Sequence, residues 1–488
     1  MNKDIVLVSP PPGWQRTLPI GLGFLASYLS KSGFSAVIYD MALDMIGKVK
    51  DEDRDCLWGL KAKNLWLDPE VFKLFVTKYE KEIQSCVDHI LSFSSSIIGF
   101  SVIHSKQLVT LEIIRRIKKI DPSITIIVGG PACFYDEDRY ILEAPKIIDI
   151  FVLGEGEKTL YECLVNIKQN KPLDEIKGVR TLESNYKGYI SRDPIEDLDT
   201  IPFPEYPGLK IEDYQPDPVP LFCSRGCFGK CSFCEIKNIW KSYRTRSAES
   251  IFEEIKFYVE KKEIFHFSLF DSIVNGDPKN LERLCDFVIK SMYKIRWEGN
   301  VLALPSMNRD IYSKMQKAGC ELVYFGVETG SEYVCKKMKK PFTIFEAERN
   351  IRLAHEAGIE VSVNFITGFP GEDEEHFQQT IDFTKRNSQY IDRVDFITEC
   401  QVARGTHLFL HPADYGIVIP EDWQGYKWYT NDEKNTISVR QARTLILGKY
   451  LDSLGVKINV NFNLDDGSQK VKGKIVVNLK KDINKGTL

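Results

Sequence analysis

The sequence predicts an α/β protein: an N-terminal doubly wound, Rossmann-like domain, a partial (β/α)6 barrel after it, and a mixed C-terminal extension. Three observations carry this reading. Short apolar runs alternate with amphipathic helical stretches from residue 4 to about 165. A proline-rich stretch from Asp193 to Pro220 then interrupts the alternation. It resumes in six strand-and-helix units that end near residue 400. Domains are therefore expected at 1–165, 166–218 (an extended linker), 219–400 and 401–488.

In the first domain, Ile5 to Val8, Ala36 to Tyr39, Ile97 to Ser101, Ile124 to Val128 and Ile147 to Leu153 read as strands buried on both faces. Gly21 to Lys31 and Lys106 to Lys119 read as helices, the second with Leu111, Ile114 and Ile117 on one face and a stop at Asp121-Pro122. Such alternation implies a parallel sheet whose ligand crevice lies at the carboxyl ends of its strands. Residues 45–92 form an insertion with helical patterning from Glu70 to Leu91. The strand ends are small and polar. Ser9-Pro10-Pro11-Pro12-Gly13 and Leu18-Pro19-Ile20-Gly21 follow the first, Ser101 the third, Gly129-Gly130 the fourth, and Gly154-Glu155-Gly156-Glu157 the fifth. One such site is a tight turn; four along one sheet edge point to a ligand that approaches the backbone closely.

In the second alternation, strands are expected at Val219 to Phe222, His266 to Phe270, Lys294 to Trp297, Glu321 to Val327, Glu360 to Ile366 and Arg393 to Cys400. Helices fall at about 250–262, 278–292, 310–318, 342–357 and 374–387, with Ser250-x-x-Glu253 as a capping box for the first. Barrel sites gather at strand carboxyl ends. Asp271, Asn300, Glu328-Thr329-Gly330-Ser331, and Gly368-Phe369-Pro370-Gly371-Glu372 with Asn364 before it are therefore candidates, each carboxylate having a plainer reading as a helix cap. Past residue 401, Trp423, Tyr426, Trp428 and Tyr429 form an aromatic cluster, Val439 to Leu454 a closing helix, and 471–478 a small hairpin or frayed tail.

Composition excludes several classes. The chain has 488 residues, 43% hydrophobic and 27% charged, with 65 basic and 69 acidic residues intermixed for a net charge of −4. No global field points to nucleic acid or an anionic membrane. No apolar run approaches a bilayer span, so a cytoplasmic protein is expected, in a compartment where thiols stay reduced.

Cys227-x3-Cys231-x2-Cys234 is the strongest chemical signal. Three thiolates at this spacing hold three corners of a [4Fe-4S] cluster and leave the fourth iron without a protein ligand. Structural zinc needs four ligands, usually in paired knuckles, and no second pair or nearby histidine is present. The 12 cysteines are scattered along the chain without the density of a disulfide scaffold. Cys223 reads as a small buried residue.

The run Cys223-Ser-Arg-Gly-Cys227-Phe-Gly-Lys-Cys231-Ser-Phe233-Cys234 resembles the radical S-adenosylmethionine (SAM) superfamily. That resemblance implies SAM chelating the open iron, Phe233 beside the adenine, Glu328 at the ribose or amino group, and the backbone around Ile366 and Gly368 at the adenine. Asp271 and Asn364 would bind polar SAM groups or face substrate. The N-terminal segments resemble, over about residues 3–165, the cobalamin-binding domain that precedes the radical SAM domain in one subclass. The resemblance implies a cobalamin site made by Pro11, Leu18, Pro19, Gly21, Ser101, Gly129, Gly130, Gly154 and Glu155. The Asp-x-His-x-x-Gly of the wider cobalamin-binding type is absent, which implies base-off cobalamin without a conventional lower histidine. His104 is the histidine near enough to be weighed, although a loop histidine is ordinarily only hydrogen-bonded.

By resemblance, the chain reductively cleaves SAM to a 5′-deoxyadenosyl radical and, with cobalamin, methylates an unactivated carbon of a small-molecule or natural-product substrate. A flavodoxin- or ferredoxin-like protein would supply the electron. Two alternatives stay open: a cobalamin-dependent cyclase or ring-rearranging enzyme without methyl transfer, and a cobalamin-free enzyme with a vestigial N-terminal module. The family's Pro-Gly-Thr after strand six reads Arg404-Gly405-Thr406 here.

Overall fold

Strand β1 (Ile5–Ser9) is buried at all five positions and sits between β2 (Ala36–Asp40) and β3 (Ile97–Ser101), parallel to both. Beyond β3 lie β4 (Thr125–Gly129), β5 (Ile150–Val152) and an antiparallel edge strand, β6 (Val179–Thr181), in the order β2-β1-β3-β4-β5-β6. The computed structural model describes residues 3–13, 17–58, 65–133, 146–183, 189–214, 218–421 and 425–459. The chain divides into two units, one with the described residues up to 195 and 200–214, the other with 196–199 and those from 218 onward.

Alternation along each strand sends Val6, Val8, Ile98, Phe100, Ile126 and Val128 into one hydrophobic cluster with the helices between residues 41 and 117. On the other face, Ile5 and Leu7 pack close to Gly99, and helices Ile20–Lys31 and Gly156–Lys168 pair there. Strand order reverses between β1 and β3, the switch point where a doubly wound sheet opens its crevice. The helical pattern at 70–91 is two helices, Pro69–Lys78 and Glu80–Ser92. Tyr79 leaves helical geometry because its hydroxyl reaches the buried Asp53 carboxylate, which also pairs with Lys78 at 2.5 Å. Trp66 packs edge to face against both Trp58 and Phe75 in the same insertion. Within 166–218, the stretch expected as linker, β6 extends the sheet, and short 3-10 turns form at Leu198–Thr200 and Ile211–Tyr214.

The second unit starts with β7 (Val219–Leu221), followed by β8 (Ser224–Arg225) and its antiparallel partner β9 (Arg244–Thr245). Strands β10 (His266–Leu269), β11 (Arg296–Val301), β12 (Cys320–Glu328), β13 (Glu360–Thr367) and β14 (Arg393–Val394) continue the parallel sheet from β7, and β15 (Ile397–Glu399) joins β13. Past β16 (Ile417–Val418) and β17 (Tyr429–Thr430), helix Ile437–Ser453 packs on β13 and β15, and β18 (Lys457–Ile458) adds to β14. The extension thus completes the sheet.

Several expected details differ. The strand expected at 393–400 breaks in two because Asp395 turns its carboxylate onto Arg393 and Ser362. Ser247, not Ser250, caps helix Ala248–Lys262; the Ser250 hydroxyl is held by Arg246. Asn300 lies within β11 rather than after it, and the cap of helix Pro278–Ser291 is Asp277 rather than Asp271. Trp428 is 2% exposed beneath the Arg440 guanidinium, 3.9 Å from its ring centroid, so it is a packing residue. Trp423 and the 471–478 hairpin lie outside the described residues. Among the described residues, no helix is long and apolar enough to cross a membrane.

Asp53→Ala would remove the buried carboxylate to which Lys78 and Tyr79 both donate. A loss of about 3–5 kcal/mol is expected in a denaturant melt.

Candidate functional site

Past Leu221 the chain leaves the β7 ladder, so the next amides need other acceptors. Asp271, directly beyond β10 and 1% exposed, supplies them. Its carboxylate accepts from the Cys223 amide at 3.1 Å, from the Ser224 amide, and from the Ser224 hydroxyl at 2.7 Å. The β8–β9 pair then closes the base of a loop, 226–243, that carries the three cysteines. Gly226 opens it at φ +82°, where a Cβ would stand 2.4 Å from the Ser242 carbonyl, so only glycine fits. On its far side the loop is tied down at Ser232, whose amide donates to the Met338 carbonyl at 2.9 Å and whose carbonyl accepts from Leu408 at 3.0 Å.

Two of the sulfurs lie beside Gly229 inside this frame. A Cβ placed on Gly229 would lie 3.2 Å from the Cys227 Sγ and 3.7 Å from the Cys231 Sγ, and the Gly229 amide donates to Cys227 at 3.3 Å. Cys227, Cys231 and Cys234 are part-exposed, whereas the other nine cysteines, Cys223 included, are buried. Burial pushes all three loop thiols up, Cys234 to about 11, and the Lys340 ammonium pulls them back. Three thiols on one glycine-bearing loop, with a cation beside them, fit a cluster held on three corners.

Around the loop, Phe233 and Ile366 pack on the same apolar cluster, formed with Val334, Met338 and Phe369. Glu328 ends β12 at φ +71°, after a register shift at Gly326, in a region that a non-glycine residue enters at a cost of about 1–3 kcal/mol. Its carboxylate faces Lys340 Nζ at 3.5 Å. Three residues on, the Ser331 hydroxyl is buried with no hydrogen-bond partner among the described residues. Three expected SAM residues have protein partners instead of open space. Asp271 serves the cysteine loop, Asn364 Oδ1 accepts from the Phe396 amide at 3.0 Å, and the Gly368 amide donates to Glu372 at 2.6 Å. Gly368 also admits the Arg440 stem, since a Cβ there would sit 2.2 Å from it.

Lys340 was not among the sequence candidates. Its side chain is 4% exposed, its ammonium donates to the Gly326 carbonyl at 2.7 Å, and it lies 5.7 Å from the Phe233 ring centroid. Burial works to lower its pKa, but Glu328 and the neighbouring thiols raise it above the ordinary lysine value. Lysine pairs such as Lys339-Lys340 are usually solvated, so only the fold reveals this one.

In the N-terminal unit, the expected ligand residues gather at one sheet edge. Ser101 stands opposite Gly129, and Gly129 opposite Val152, in register across β3, β4 and β5. Gly130, at φ +106°, brings its backbone so close to Val102 that a Cβ would stand 2.6 Å from the Val102 carbonyl. Gly21 and Gly154 face open space, with nothing within 4 Å of a Cβ. Pro11 and Leu18 are buried, with Pro19 part-exposed before helix Ile20–Lys31, and His104 is exposed just past β3. Glu155 turns its carboxylate to the Ile195 amide at 3.1 Å. Backbone and open glycines, with little side-chain bulk, fit a large ligand lying along these ends.

Residues 221–384 match the radical SAM superfamily, and residues 67–164 match the B12 binding domain. The chain joins a B12-binding domain to a radical SAM domain. With them come their cofactors, cobalamin for the first, SAM and a [4Fe-4S] cluster for the second, and the chain is an enzyme of this cobalamin-dependent radical SAM type. An uncharacterised methyltransferase of Pyrococcus horikoshii is 26% identical over 69% of this chain and 73% of its own. The cytidylyl-2-hydroxyethylphosphonate methyltransferase of Streptomyces wedmorensis is 24% identical over 92% of this chain and 86% of its own. The structure of the radical SAM methyltransferase TsrM from Kitasatospora setae, with cobalamin and a [4Fe-4S] cluster bound, aligns at a TM-score of 0.70 and 15% identity. It covers 99% of this chain and 100% of that one, a likeness of fold.

Asp271→Ala would orphan two buried amides of the radical SAM domain, at about 1–3 kcal/mol each. Its denaturant midpoint is expected to fall and the loop cysteines to alkylate faster with iodoacetamide than in the parent.

Proposed function

We propose that the chain reductively cleaves SAM at a [4Fe-4S] cluster held by Cys227, Cys231 and Cys234 and, with cobalamin, methylates an unactivated carbon of a small-molecule substrate. The observation that carries this reading is a single loop that holds the Cys227 and Cys231 sulfurs beside Gly229 and keeps Cys227, Cys231 and Cys234 part-exposed, in a chain whose other cysteines are buried. When bound, the cluster supplies an electron to the sulfonium of SAM, and cobalamin supplies the methyl group. This chain's own residues position and shield.

Phe233 and Ile366 form an apolar wall next to the cluster loop, suited to an adenine face. Glu328, whose backbone is set by the bulge at Gly326, offers a carboxylate to a ribose hydroxyl or an amine. The Ser331 hydroxyl, three residues on and without a hydrogen-bond partner among the described residues, bonds a polar group of the same ligand. Asp271 acts one step removed, by holding Cys223 and Ser224. At the N-terminal sheet edge, Ser101, Gly129, Gly130 and Gly154 accept cobalamin, with no conventional lower histidine. The electron donor in this reading is a flavodoxin- or ferredoxin-like protein, and the enzyme works in the cytoplasm, where its thiols stay reduced.

The test is mass-spectrometric quantification of 5′-deoxyadenosine and S-adenosylhomocysteine after anaerobic reconstitution with iron, sulfide and cobalamin, then SAM and a strong reductant. Both products are expected, S-adenosylhomocysteine only when cobalamin is present. 5′-Deoxyadenosine alone, with cobalamin bound, would replace methyl transfer by ring closure or rearrangement. Neither product from a fully reconstituted protein would contradict the reading. Cys231→Ala is expected to lose the cluster's visible charge-transfer band and SAM cleavage; retention of both would overturn the ligand assignment.

A further inference from the structure

The cluster loop leaves one charged group beside it without an assigned task. Lys340 lies 12 residues past Glu328 in sequence, yet the two meet at 3.5 Å. The loop sits directly against the Lys340 segment: the Ser232 amide bonds the Met338 carbonyl, and Pro341 approaches within 3.8 Å of the Gly229 Cβ direction. The ammonium also lies over Phe233 and, at 5.1 Å, over Phe342. It therefore occupies a desolvated position facing one carboxylate and the aromatic ring of the cysteine loop, and its charge pulls down the pKa of all three loop thiols.

Burying an ammonium is costly unless nearby anions offset it. Glu328 is one such anion. A cluster held by three thiolates is another, and it gains one negative charge on reduction. A fixed cation in a low-dielectric site favours the more negative state. We propose that Lys340 is a positioning residue for the cluster: it supplies the buried positive charge that stabilises the reduced cluster, and it fixes the Glu328 carboxylate at the end of β12. This rests on the assignment of the cluster to Cys227, Cys231 and Cys234.

The pairing gives signs to three variants. Lys340→Met removes the cation and leaves the Glu328 carboxylate, so the reduced state loses support. Lys340→Arg keeps the charge. Glu328→Gln leaves the cation unopposed and favours reduction.

The experiment is an anaerobic redox titration of the reconstituted full chain without SAM, following the reduced cluster by electron paramagnetic resonance, with iron and sulfide counted for each variant. Lys340→Met is expected to carry a full cluster whose reduced-to-oxidised ratio at fixed potential falls about tenfold, or about 59 mV for a one-electron couple. Lys340→Arg should stay within about twofold of the parent, and Glu328→Gln should move the other way. A Lys340→Met cluster that titrates with the parent would overturn the proposal, as would an arginine variant that falls with the methionine one. If Lys340→Met holds no cluster, Glu328→Gln decides: an unchanged ratio overturns the proposal, and a raised one supports it. A parent chain that binds no iron overturns the cluster assignment itself, a result separate from any difference among variants.

Discussion

Everything at the catalytic end of the second unit depends on one carboxylate replacing a missing strand. After Leu221 the amides of Cys223 and Ser224 have left the β7 ladder, and Asp271, carried in by the neighbouring β10, accepts both. Buried amides without acceptors would cost about 1–3 kcal/mol each. Because the anchor is itself buried and comes from the next strand, the loop's root is as rigid as the sheet. Asn300 extends the same logic by donating to the Asp271 carbonyl at 2.9 Å from β11. Three adjacent strands thus converge on the point from which the cysteine loop departs.

With its root fixed, the loop can leave its sulfurs part-exposed without fraying. Gly226 makes the turn, β8 and β9 close the base, and Ser232 ties the middle to the segment after Val334. The result is an unusual distribution of thiols: three reachable, the rest in the core. Lys340 then sets the charge of the surroundings. It neutralises Glu328, whose positive φ stores backbone strain at the end of β12, and it draws the loop thiols towards their ionised forms.

The large elements were legible in the sequence because parallel strands buried on both faces leave uninterrupted apolar runs. β3 spans Ile97–Ser101, the same residues as its apolar run, and helix Glu374–Asn387 likewise matches its pattern. The cysteine motif was legible for a different reason, since its ligands are local and spacing alone carries the geometry. What escaped depends on contacts distant in sequence. The break at Tyr79 arises from a hydroxyl drawn to Asp53, 26 residues away. β6 and β18 have two or three residues each, too short for any period to register. The anchoring role of Asp271 gave no signal because the amides it accepts from lie 47 and 48 residues earlier. Lys340 gave no signal, because nothing in a lysine pair distinguishes a buried ammonium from a solvated one.

A loop that holds an iron–sulfur cluster on three corners leaves one iron open. Mössbauer spectroscopy of the chain reconstituted with 57Fe, recorded with and without SAM, tests it most directly. About one iron in four is expected to separate from the rest and to shift to the parameters of a higher-coordinate site when SAM is added. Four equivalent irons that ignore SAM would mean a fourth protein ligand closes the cluster, and would contradict it.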